Sequence, residues 1–136
     1  MGKTTLLLVA AFFLPTAAVP VWAHHAFSAE FDVNKPITVR GTITKMEWIN
    51  PHAWIYMDVT EADGSISDWM IELGPPNSLI KRGWTRDSVP PGIEIIVEGH
   101  QSKDGQRRAN GGDITLPDGS MLFAAGSNPA DPANRN

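Results

Sequence analysis

The chain has 136 residues, 11 Lys plus Arg against 15 Asp plus Glu, a formal net charge of -4, 42 % apolar residues and no cysteine. That length holds one domain, and the composition is that of a packed chain rather than a disordered one. The missing cysteines exclude disulfides, thiolate metal ligands, a cysteine nucleophile and a lipoprotein anchor, and an acidic chain without a long basic run lacks the electrostatic footprint of a nucleic-acid binder.

Residues 1–23 (MGKTTLLLVAAFFLPTAAVPVWA) read as a secretory signal. Lys3 is the single early charge, residues 6–14 are an unbroken apolar run, and Pro15 and Pro20 end it. Val21 and Ala23 then occupy the -3 and -1 positions of a cleavage site. The run is well short of the roughly 20 residues a spanning helix needs. The expectation is export to the periplasm, a mature chain that starts at His24, and no membrane attachment after cleavage.

Residues 24–36 read as a polar–aromatic arm, with Phe27 and Phe31 four apart and Pro36 at its end. Residues 37–48 alternate as a half-buried strand, with Gly41 marking a bulge or bend. Residues 52–60 and 66–73 read as the second and third strands, joined by a hairpin at Asp63-Gly64. Asn77 or Ser78 is expected to cap a short helix over 79–82, closed by Gly83. A fourth strand is expected over 93–99 and two short ones over 114–116 and 120–124, with Gly111-Gly112 as a flexible loop. Residues 126–136 carry no apolar pattern and are expected to form a disordered tail. The domain is therefore placed at 37–125. The expected fold is all-β with a small α insertion, a five- or six-stranded OB-like Greek-key barrel, with a β-sandwich as the alternative.

All four histidines, His24, His25, His52 and His100, fall after the signal. A free α-amino group and the Nδ1 of an N-terminal histidine close a six-membered chelate on a metal, and further imidazoles complete a nitrogen set. Such sets suit Cu(II), which tops the divalent affinity order. His24, His25 and His52 are therefore the candidate metal ligands and copper the candidate cofactor. His52 follows the rigid Asn50-Pro51 corner and opens a strand, which positions it well. Glu30, Asp32, Glu47 and Asp58 are candidate acceptors for an imidazole N–H, and His100 reads as a surface residue.

Glu47, Trp48, Asn50 and Trp54 form a candidate binding group. Trp54 has the opposite strand parity to Ile55 and Met57 and is expected to face outward, while the other tryptophans read as core. No nucleophile elbow, phosphate loop or dinucleotide fingerprint is present, so a binding role is expected ahead of catalysis. The expected function is periplasmic transition-metal binding. The alternative is a non-enzymatic OB-like module for a protein, peptide or glycan partner. The sequence leaves the oligomeric state open.

His24-His25-Ala26-Phe27, Glu30-Phe31-Asp32, Lys35-Pro36, Gly41 and the run Glu47-Trp48-Ile49-Asn50-Pro51-His52-Ala53-Trp54 together resemble a family of uncharacterised secreted bacterial proteins, a domain of unknown function. The likeness continues through Trp69, Glu72, Gly83-Trp84, Gly92 and Asp118-Gly119. It implies export and a small β-rich fold, and no activity, substrate or cofactor.

Overall fold

The computed structural model describes residues 27–128 and 130. The expected signal segment, His24 and His25, and most of the expected tail lie outside the described residues. After one helical turn at 27–30 come β1 (Phe31–Glu47), β2 (Trp54–Thr60), β3 (Ile66–Glu72), α1 (Pro76–Lys81), β4 (Glu94–Ser102), β5 (Arg108–Thr115) and β6 (Met121–Phe123).

The long strand β1 serves two neighbours. Its first part pairs with β4 through Thr42, and from Thr42 onward it pairs with β2. β3 follows β2 as a hairpin, and β5 pairs antiparallel with β4. A short parallel seam, Met70 to Glu72 against Arg108 to Asn110, joins β3 to β5 and closes the ring. β6 extends β5 on the outside. The mainly antiparallel ring with a helix between β3 and β4 is the small-barrel arrangement expected from the pattern. Two separately stacked sheets would leave β3 and β5 without this seam.

Closing so small a ring requires β1 to bend, and Gly41 sits at the turning point. A Cβ there would lie 2.4 Å from the Asp58 carbonyl oxygen and 2.7 Å from Met57 Cε. The bulge itself falls just beyond, between Ile43 and Lys45. Inward-facing residues of alternate parity, Ile43, Ile55, Met57, Ile71, Ile95, Val97 and Ile114, fill the interior. Burying each such side chain contributes roughly 1.5–3 kcal/mol before entropy is counted. Leu79 of α1, Val89 and Trp84 are buried in the same core. The Trp84 indole donates its Nε1–H to the Phe123 carbonyl at 2.8 Å, and Trp48 packs edge-on against it.

Four local expectations are corrected. β1 begins at Phe31 rather than at 37, because Pro36 is carried through an irregular stretch of the β1–β4 ladder where its missing N–H is tolerated. α1 begins at Pro76 after an N-cap Pro75, with no side-chain cap bond; the fixed φ of proline suits a first helical turn. Gly111-Gly112 is strand, not loop. A Cβ on Gly111 would lie 2.9 Å from Ile71 Cγ2 and 3.2 Å from Ala124 Cβ, so the glycine lets β5 approach its neighbours closely. The expected tail does not start at 126: Gly126 is buried, and Ser127 hydrogen-bonds into the barrel wall.

Candidate functional site

β3 carries Ile71 into the core and turns Glu72 to the opposite side. A carboxylate on the outer wall of a barrel would ordinarily meet water, yet Glu72 is 3 % exposed. Asn110 and Ser127 bond to it, and Glu30 lies near enough to act on its charge. Asn110, its register partner on β5, donates from Nδ2 to Glu72 Oε1 at 3.1 Å. Ser127 Oγ donates to the same oxygen at 3.3 Å and accepts from Asn110 Nδ2 at 3.1 Å. On the second carboxylate oxygen, His52 Nδ1 lies 3.4 Å from Oε2. The His52 ring is 30 % exposed, so the pair spans from the buried carboxylate to the surface.

Burial pushes the Glu72 carboxyl above its ordinary value, and the nearby Glu30 carboxylate pushes the same way. His52 and the bonds from Ser127 and Asn110 oppose this and are outweighed. Desolvation of the charged form is the larger effect because two hydrogen bonds and one contact to a part-exposed ring replace only part of the lost hydration.

Glu30 is held here by the N-terminal turn. Phe27 is 1 % exposed, stacks on Phe31 with ring centroids 5.7 Å apart, and meets His100 edge-on at 5.9 Å. Lys103 ties the turn to the β4–β5 loop, donating from its backbone N–H to the Glu30 carbonyl and from Nζ to the Ser28 carbonyl. His100 is thus half-buried under Phe27 rather than a free surface residue. His100 and Asn110 also line an open cleft of about 480 Å³ along β1, β4 and β5, whose apolar side is Val33 and Ile37.

The other candidates are distributed around this wall. Glu47 accepts from Lys45 Nζ and, at 3.0 Å, from Tyr56 Oη; the lysine first and the tyrosine second hold its carboxyl below the ordinary range. Trp54 is half-buried and is the β2 register partner of Glu72. Trp48 lies on Trp84, with Arg86 over its ring at 5.8 Å. Asn50 is exposed in the β1–β2 loop, at a cis bond to Pro51. The structure therefore brings His52 and Trp54 to the Glu72 wall and leaves Glu47 and Trp48 with partners of their own. Glu30, Asp32, Glu47 and Asp58 were the expected imidazole acceptors; the carboxylate beside His52 is Glu72. His24 and His25 lie outside the described residues. Among the described residues no three His, Cys, Asp or Glu side chains gather as a metal site. No helix among them is long and apolar enough to cross a membrane.

Asn110 and Ser127 were not legible as site residues, since the first lies in an Asn-Gly-Gly run and the second in a polar tail. The usable signal was Glu72 itself, an acid between two core positions of a strand. No curated protein matches the chain. The model of a protein family matches residues 12–111. That span is most of the chain, and the chain belongs to the family it describes, the Family of unknown function (DUF6152).

Proposed function

We propose that the chain is an exported, periplasmic transition-metal-binding protein, with copper as the metal and the His24 amine and imidazole, His25 and His52 as its ligands. The observation that supports it is the His52–Glu72 contact. An ionised carboxylate 3.4 Å from one ring nitrogen is the kind of outer partner that orients metal-binding histidines. Nitrogen ligands with a terminal amine favour Cu(II) over the other divalent ions.

The test is to express the chain with its own signal, purify it from the periplasm and take the intact mass with and without one equivalent of Cu(II). A mass that starts at His24 and retains copper through a chelator wash supports the proposal. A different start, or no retained copper, overturns it.

A second reading is a metal-indifferent OB-like module that binds a protein, peptide or glycan partner. It is favoured by the half-buried Trp54 on the outer wall and by the cleft beside His100. Loss of partner capture in Trp54→Ala with Cu(II) binding absent from the parent would select it.

A further inference from the structure

Two buried donors without an acceptor belong to residues that line one cleft. The indole Nε1 of Trp69 and the guanidinium Nε of Arg108 are both closed to water and have no hydrogen-bond partner. Orphaned buried N–H groups are rare in native structures, and each calls for a group that would answer it. Trp69 and Arg108 line the same cleft, of about 330 Å³, at the edge where the β4–β5 loop meets β2 and β3. That volume is at the small end of ligand pockets.

The remaining walls indicate what would fit. Tyr56 and Met70 supply an apolar and aromatic surface. Arg107 and Arg108 line the cleft with Asp68, and each arginine also meets carboxylates beside it, Arg107 Glu61 and Arg108 Glu30 and Asp104. Lys45, paired with Glu47, lies 5.2 Å above the Tyr56 ring. The Arg108 guanidinium is steadied by long contacts, Nη1 at 3.7 Å from Glu30 and Nη2 at 3.4 Å from Asp104. Nε is its buried donor without a partner. A guanidinium and an indole N–H presented together suit a carboxylate, whose two oxygens accept both, better than a neutral carbonyl.

We infer that this cleft binds a small organic carboxylate with a flat apolar body. The carboxylate accepts from Trp69 Nε1 and Arg108 Nε, and the body lies against Tyr56 and Met70. The site is separate from His52 and Glu72 and does not depend on a metal.

The experiment is a titration of metal-free protein with benzoate, followed by tryptophan fluorescence and calorimetry, with benzamide as the neutral isostere. Benzoate is expected to saturate in the millimolar range usual for so small a ligand, and benzamide to bind about tenfold more weakly. Trp69→Phe keeps the aromatic body and removes the N–H, and Arg108→Lys keeps the charge and removes Nε; each is expected to weaken benzoate about tenfold while leaving the circular-dichroism spectrum unchanged. Equal binding of benzoate and benzamide to the parent, or no saturable benzoate binding, overturns the inference even if neither variant folds. Parent-like benzoate affinity in both folded variants overturns it as well.

Discussion

Glu72 and Asn110 face each other across the parallel β3–β5 seam and are joined through their side chains at 3.1 Å. The bond lies on the outside of the barrel wall. It is buried because Ser127 closes over it from one chain end and the turn at 27–30 from the other. The seam that completes the ring and the polar cluster that carries His52 are thus one structural unit.

Burial raises the Glu72 carboxyl in the folded state, so the fold favours its neutral form. Below the ordinary value of 4.5 both states hold the proton and this contribution to stability is fully present. As pH rises above that value the unfolded chain releases the proton first, and stability falls until the raised folded value is passed. Glu72→Gln lacks this dependence. Denaturant unfolding of both proteins at pH 4.5 and pH 7.5 is expected to show the parent losing stability relative to the variant at the higher pH. A pH-independent difference contradicts the assignment.

Ser127→Ala removes one donor to Glu72 and one acceptor for Asn110. The expected loss is about 1 kcal/mol by denaturant unfolding. The amide protons of residues 124–127 should exchange faster in the variant, since this segment is held in part by that hydroxyl. Unchanged exchange there would show that the backbone bonds of Gly74 and Gly112 to Ala124 suffice.

Gly41→Ala is expected to destabilise the fold by about 2–3 kcal/mol, because the new Cβ meets a backbone oxygen at 2.4 Å and the core must shift to admit it. Thermal unfolding reads this out. A parent-like midpoint would mean that β1 bends elsewhere.

Trp84→Phe keeps most of the buried bulk and deletes the Nε1 donor to the Phe123 carbonyl. The expected loss is about 1 kcal/mol, the usual worth of one part-buried hydrogen bond. Trp84→Ala also opens a cavity and should cost about 3–5 kcal/mol. Equal losses in the two variants would assign the whole effect to the hydrogen bond.

The fold was largely readable because strand alternation reports which face is buried. Ile55, Met57 and Val59 against Trp54, Tyr56 and Asp58 is such a case, and the buried set lies inside. Alternation fails where a strand carries no side chain to read, as at Gly111-Gly112, and where a proline interrupts a ladder that continues past it, as at Pro36. His52 stood out by its place after a proline corner. Its carboxylate partner did not, because the contact crosses the β2–β3 hairpin and depends on the register that pairs Trp54 with Glu72. Ser127 was hidden for a simpler reason: a polar residue in a polar tail says nothing about a bond 55 positions away.

The proposed metal site stands or falls on the free amine of His24. Cu(II) affinity, measured by competition with a chelator of known strength, compares the chain that starts at His24 with the same chain carrying one additional N-terminal Met. The extension blocks the amine–imidazole chelate and leaves His25, His52 and Glu72 untouched. At least about a tenfold loss of affinity is expected, the equivalent of one strong ligand bond. Equal affinity in the two chains would contradict the site.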